Sequence, residues 1–371
     1  MAFGGPLAHI AYFHKEFVQK RKWLDESQFQ ELVALTQSLP GPASSQLGMS
    51  IGKIRGGYIG SFAAWLGFTS PSIVFLLVLA FLENSGKIVF NSHFIHGLKL
   101  GTCAVVFLAI FSMGKRFCYN LKTLSISILA MLIVLSFQFS LIQVIVILFS
   151  AILGVLLFRS QTNKQLVGFN LNGKNLIPIL ITIGLFFLLP LISHQISLFQ
   201  FLLFEKFFRI GSLVFGGGHV VLALLKTEFV DTSLLNFNDF MTGYSFANLM
   251  PGPLFSISAY IGYFANQQNS ISNALISTIG IFFPSFLLIW SILPIWSNLR
   301  MNSHIQAALV GTNAAVVGLL AATFFHPLIT SSVHSILDIS TVLVGIVALQ
   351  FLKAPSFAVL LISGAVSVYL F

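Results

Sequence analysis

The residues with the clearest chemical meaning are two copies of Pro-Gly-Pro, at Pro40-Gly41-Pro42 and Pro251-Gly252-Pro253. Neither copy can continue an α-helix. Each proline lacks an N–H and clashes with the preceding turn, and glycine is costly in a helix interior. The second proline of each copy suits the first turn of a new helix. Such a helix aims unpaired N–H groups and the positive end of its macrodipole back at the break, where they attract anions. Ser44 and Ser45 follow the first copy, and Ser256 and Ser258 the second, adding hydroxyl donors. Two such ends brought together make a site rich in neutral donors, suited to a tetrahedral oxyanion. The bland alternative is that both breaks are packing kinks.

Other candidates surround this pair. Phe3-Gly4-Gly5-Pro6 and Phe215-Gly216-Gly217-Gly218 repeat a small-residue turn. It reads either as a backbone nest for an anion or as a close helix-packing site. His219 is either a proton carrier or a hydrogen-bonded structural residue. Arg55 lies 13 residues past Pro42, about 20 Å along a continuous helix. It therefore cannot easily touch an anion at that helix's own start. With Lys53 it forms either an entry funnel that steers anions or a cytoplasmic charge anchor. Glu16 and Glu228 hold equivalent places in the two halves. Such acids couple protons in transporters, or form surface ion pairs with their basic neighbours. Asp338 and Glu83 sit near span ends and are read as solvated.

Composition says what kind of elements must position these residues. The chain has 371 residues, 56% hydrophobic and 8% charged, with a mean hydropathy of +0.93. A soluble domain carries about 25% charged residues, so this is a polytopic membrane protein in a lipid bilayer. The net charge of +9 belongs to cytoplasmic loops. No basic stretch interleaves with aromatics as a nucleic-acid groove requires. Cys103 and Cys118 give no disulfide framework, and no Cys-x-x-Cys or His-Glu-x-x-His occurs. No cofactor or metal is therefore expected. An enzyme would need paired carboxylates or a metal cluster at membrane depth, and neither is legible. No cleavable signal peptide is read, because Met1 leads directly into the Gly-Gly-Pro turn.

The apolar stretches fall at 34–52, broken by Pro-Gly-Pro, then 58–82, 97–113, 121–137 and 140–158. Each full span is near the roughly 20 residues a membrane helix needs. The polar connection 159–174 separates two halves, and 175–192 is a linking span. Later spans are 271–292, 305–325, 336–352 and 355–371. The second half echoes the first. Glu228-Phe229-Val230 repeats Glu16-Phe17-Val18, Ile261-Gly262 repeats Ile51-Gly52, Pro284-Ser285 repeats Pro71-Ser72, and Gly311-Thr312 repeats Gly101-Thr102, at offsets of 210 to 213 residues. The expected fold is all-α and polytopic. It has repeats at 1–174 and 197–371 joined by a linker span at 175–196, and each repeat contains a Pro-Gly-Pro broken, re-entrant helix. Loop charges place 14 basic residues inside and 5 outside (Lys87, Lys99, Lys206, Arg209, Lys226) when the breaks are re-entrant and the linker inverts the second half.

The ordered set resembles the chromate ion transporter family, in its long, two-domain form. The resemblance runs through Phe3-Gly4-Gly5-Pro6-Leu7-Ala8-His9-Ile10, Glu16-Phe17-Val18, Trp23-Leu24, Leu39-Pro40-Gly41-Pro42, Ile51-Gly52, Gly57, Gly60, Phe68 and Pro71-Ser72. It resumes at Phe215-Gly216-Gly217-Gly218-His219, Met250-Pro251-Gly252-Pro253, Ile261-Gly262-Tyr263 and Phe283-Pro284-Ser285. It implies a multi-pass carrier of the bacterial inner membrane that exports chromate, with sulfate as a related anion. Coupling to the proton-motive force or exchange is implied, and so is a role for both Pro-Gly-Pro segments and the Gly-Gly turns. A homo-oligomer is a possible assembly. One departure stands out. The second half has an amphipathic lead-in, 197–214, before its Phe-Gly-Gly, where the first half has only Met1 and Ala2; similar proteins carry a lead-in there too. The rival readings are a carrier of the same build for sulfate or an organic anion, and a non-transporting structural or sensory membrane protein.

Overall fold

The computed structural model describes residues 5–87, 91–137, 141–158, 173–193, 195–196, 198–215, 218–266 and 268–370. Among them all regular structure is helical. The first half comprises α1 (Gly5–Phe13), continued by a wide π-helical turn His14–Lys20, α2 (Glu26–Ser38), α3 (Ala43–Asn84), α4 (Ser92–Phe117), α5 (Leu121–Ser136) and α6 (Ile142–Phe158). After α7 (Gly173–Ser193) come α8 (Phe199–Leu213), α9 (Val221–Leu225), α10 (Phe237–Leu249), α11 (Ile257–Ala265), α12 (Ser270–Ile292), α13 (Trp296–Leu299), α14 (Ser303–Thr323), α15 (Thr330–Ser332), α16 (Ile336–Gln350) and α17 (Ser356–Leu370). Local sequence sets several starts. Asp25 with Gln28 and Asn120 with Thr123 cap α2 and α5 reciprocally. Among the described residues, four helical segments are long and apolar enough to cross a membrane: Ala43–Asn84, Ser92–Phe117, Ser270–Leu299 and Ser303–Ser332.

α3 is two arms rather than one rod. Gly56 (φ −142°, ψ 24°) and Gly57 (φ 61°, ψ −148°) leave helical geometry. A Cβ on Gly52 would lie 2.3 Å from the carbonyl oxygen of Gly60. Eight residues apart in a straight helix those positions would be about 12 Å apart. The arms 43–55 and 58–84 therefore fold back on each other at the two glycines. α11 and α12 form the same hairpin, with Gly262 pressed against Asn273 and Ser277. The Ile-Gly echo of the sequence thus marks one crossing made twice.

The long arm of α3 and α12 run antiparallel. Tyr58 meets Trp290 (5.0 Å between ring centroids), Phe62 meets Phe286 (6.1 Å) and Trp65 meets Phe282 (5.7 Å). The two hairpin tips consequently sit at opposite ends of the pair. At the first tip, Lys53 Nζ donates to the carbonyls of Ile289 (3.3 Å) and Trp290 (2.7 Å). Near the second, the Tyr260 hydroxyl donates to Glu83 (2.6 Å).

The halves interlock. α14 packs along α5 and α6, while α4 packs along α16 and α17. Small residues allow close backbone approach. Gly311 meets Ser150 and Gly154, Gly318 meets Ser127, and Gly97 and Gly101 meet the α17 backbone at Leu360–Gly364. The Gly-Thr echo is this exchanged crossing.

Several sequence readings change here. Lys206 and Arg209, counted as outer loop charges, are buried on α8 and paired with Glu228 and Glu205. Lys99 is buried and donates to Asn238 (2.8 Å). Asp338 is not solvated: it is 1% exposed, bonded to His96 (2.8 Å) and to the N–H groups of His334 and Ser335. Glu83 is half-buried. Each was misplaced because charge near a span end reads as loop until a partner helix covers it.

Candidate functional site

The two Pro-Gly-Pro segments converge. Gly41 has φ +117° and Gly252 φ +149°, backbone that strains any residue with a Cβ. Space is also closed. A Cβ on Gly41 would lie 2.5 Å from Gln46 Nε2 and 2.6 Å from Ser285 Oγ, and one on Gly252 would lie 2.6 Å from Ser72 Oγ. Each break therefore docks against the Pro-Ser turn of the other half. Gln46 Nε2 donates to the Pro40 carbonyl (2.6 Å) and to Ser285 Oγ (3.2 Å). In the reciprocal position the Ser256 and Ser72 hydroxyls share a 2.7 Å hydrogen bond. The Gly41 N–H is taken by the carbonyl of Val214 at the end of α8 (2.7 Å).

Beyond each break a helical turn starts. Pro42 is the N-cap of α3, and Pro253 is the N-cap of the short turn Leu254–Ser256 that leads into α11. Neither has a side-chain cap, so N–H groups of both first turns are left for other acceptors. A cavity of about 40 Å³ lies between the two starts, lined by residues that include His9, Pro42, Ala43, Ser44, His219, Asn248, Gly252, Pro253 and Leu254. Ser45 Oγ and Ser258 Oγ are buried with no hydrogen-bond partner among the described residues. The arrangement supplies neutral donors and one or two imidazoles and no metal cage: among the described residues no group of three His, Cys, Asp or Glu is placed to hold an ion.

α10 and α11 fold back on each other about Pro251-Gly252-Pro253. Gly243 lies against the Tyr260 ring, and Phe246 packs on the same ring (6.3 Å). Residues 243 and 260 would be about 25 Å apart in a continuous helix. His219 is fixed by a 2.8 Å hydrogen bond between Nδ1 and the Tyr244 hydroxyl, and its placement at the cavity comes from the turn Gly218–Val220. A second cavity, about 270 Å³ and mostly apolar with Tyr12, Phe13, Phe17, Trp23 and Phe68 on its wall, shares His9 and Gly252 with the first.

Pro40, Gly41, Pro42, Ser44, Ser45, Pro251, Gly252, Pro253 and Ser256 are thus brought into one region. Gly5 opens α1, while Gly4, Gly216 and Gly217 lie outside the described residues. Arg55 and Lys53 are at the first hairpin tip, away from the breaks. Arg55 and Arg21 both lie over the Trp23 ring, at 5.0 and 5.2 Å. Lys53 is engaged by the α12 carbonyls. Glu16 pairs with Arg21 (2.7 Å) and Lys20 (3.6 Å). Its hydrogen bond from Arg21 holds the carboxyl below the usual carboxylate range. Glu228 does not form a surface pair: it is 3% exposed and takes two bonds from Arg209 (2.6 and 3.0 Å) and one from Lys206 (2.8 Å). The sequence reading missed Gln46, Ser72, Ser285 and His9. Ser72 and Ser285 were visible as a repeat echo, but nothing local says that each faces the other half's break.

The profile of the Chromate transporter family matches residues 1–155 and 201–368. A protein of Cupriavidus metallidurans named as a chromate transport protein is 26% identical over 95% of this chain and 84% of its own length. An uncharacterised transporter of Methanocaldococcus jannaschii is 29% identical over 87% of this chain and 80% of its own. No solved structure matches the chain. With the profile covering most of both halves of the chain, each with its Pro-Gly-Pro segment, this chain belongs to the chromate transporter family, a family of multi-pass membrane transporters.

Proposed function

We propose that the protein is a secondary transporter that exports chromate across a bacterial inner membrane, with sulfate-like oxyanions as further substrates. The carrying observation is the convergence of two uncapped helical starts, one from each half, on one donor-lined cavity. An oxyanion there accepts hydrogen bonds from first-turn N–H groups and from Ser44, which lines the cavity, with Ser45, Ser256 and Ser258 in the adjoining turns as further donors, aided by both macrodipoles. His219 is a candidate for orienting the anion through its imidazole. The breaks act as re-entrant turns, and the repeats, 1–174 and 197–371 about the linker 175–196, lie inverted in the membrane. The antiparallel long helices and opposite hairpin tips support that reading. Arg55, with Arg21 beside Trp23, serves as the cytoplasmic entry point, steering anions into the larger cavity. Coupling is to protons or to exchange.

The test is flux in liposomes carrying purified protein. Chromate moves across the membrane in wild type, and sulfate competes. Absence of flux for every oxyanion, with the protein folded, refutes the reading. Flux of sulfate or an organic anion without chromate assigns it to a carrier of the same build.

A further inference from the structure

Among the described residues, seven acidic side chains pair with lysine, arginine or histidine, and Asp25 caps α2. Glu83 differs. It accepts a 2.6 Å hydrogen bond from the Tyr260 phenol, and no lysine or arginine is in contact with it among the described ion pairs. It stands half-buried at the end of α3's long arm, about 40 Å of helix from Arg55's hairpin tip. It therefore meets the water of the opposite face. The charged group that acts on it is Asp239 at the start of α10, which in turn interacts with Lys99 on α4, held by Asn238 (2.8 Å). Lys87, next along the chain, is exposed and lies over Phe81 (5.9 Å). A carboxyl so placed is free to exchange a proton with the adjoining water instead of being locked in an ion pair, as Glu228 is.

Tyr260 links this carboxyl to the donor cavity. It is seven residues beyond Pro253, about 10 Å along the helix. Its ring presses on α10 at Gly243, where a Cβ would lie 2.3 Å from the ring. α10 and α11 are the two arms that Pro251-Gly252-Pro253 joins, so displacing the phenol displaces one arm against the other.

We propose that Glu83 is the proton-coupling residue of transport. A proton taken from the water of the second face removes the anionic acceptor of the Tyr260 hydroxyl. The arms of the second break then shift at the anion site. The proposal rests on the reading of that site as an oxyanion carrier.

The test uses liposomes with oriented wild type, Glu83→Gln and Tyr260→Phe, comparing chromate–chromate exchange with flux driven by a pH gradient. In wild type both occur. Glu83→Gln loses the pH-driven part by about tenfold or more, a coupling of the usual size, while chromate–chromate exchange persists and no longer varies with pH. Tyr260→Phe, which keeps the ring, reduces pH-driven flux in the same direction and carries the test should Glu83→Gln fail to insert. Retained pH-driven flux in the variants overturns the proposal, as does exchange in wild type without any pH-driven part. Neither result touches the transport reading, which falls only when wild type moves no oxyanion by either assay.

Discussion

At the scale of single residues, the two break glycines are the sharpest test of the site. Both have positive φ, and both lie within 2.6 Å of a side-chain atom once a Cβ is built. Gly41→Ala or Gly252→Ala adds about 1–2 kcal/mol of backbone strain and pushes on Ser285 or Ser72. The expected outcome is a loss of chromate flux of about tenfold, since a misplacement of about 1 Å costs that or more. Size-exclusion profiles of the purified variants report whether the fold survives. Ser45→Ala and Ser258→Ala remove hydroxyls that carry no other hydrogen bond among the described residues. They are expected to raise the KM for chromate severalfold and to leave stability nearly unchanged, because no internal bond is lost. An unchanged KM in both would remove these serines from the anion site. Pro-Gly-Pro was legible because its constraint is steric and local. Gln46, Ser72 and Ser285 were not, because a serine or glutamine has no local signature for a partner about 200 residues away.

Elements carry the next tests. The hairpins at Gly56–Gly57 and between α11 and α12 place their tips at opposite ends of the antiparallel pair formed by the long arm of α3 and α12. In a background with Cys103 and Cys118 replaced, cysteines at Lys53 and Asn266 are expected to react with an impermeant thiol reagent from opposite sides of the membrane. Labelling from one side only would refute inversion. The exchanged crossings predict sensitivity to bulk. Gly311 lies against the backbone of α6, whereas Gly114 has nothing within 4 Å of its Cβ position. Gly311→Leu is expected to destabilise by about 1–3 kcal/mol or more. Gly114→Leu should leave the melting temperature close to wild type, and a thermal-shift assay compares them. The positions of the spans followed from apolar stretches of membrane length. Which spans embrace which did not, because lipid-facing and helix-facing apolar surfaces have the same composition.

At the scale of the whole molecule, the sequence echoes do not come with equal surroundings in the two halves. Glu16 and Glu228 fall at the same place in the repeat. Yet Glu16 forms a water-facing pair while Glu228 is enclosed with Arg209, Lys206 and Glu205. Removing the Glu228 charge with Glu228→Gln strands the buried Lys206 and leaves Arg209 with Glu205 alone, and is expected to cost about 3–5 kcal/mol. Glu16→Gln should barely move the melting temperature, as solvent-exposed pairs contribute little. Equal effects of the two substitutions would show the halves to be energetically alike. Composition by itself determined that the chain lives in a bilayer, and the spacing of its echoes pointed to two related halves, the two regions that the family profile matches. Proline and glycine sterics determined where its helices break. All three are local properties, readable without knowing what lies next to what. Only the tertiary structure decided that each break meets the Pro-Ser turn of the other half and that a carbonyl of α8 takes the Gly41 N–H. It also decided that charges assigned to loops are buried in pairs. Those outcomes depend on helices distant in sequence closing over one another, where burial and partner choice are set by packing geometry.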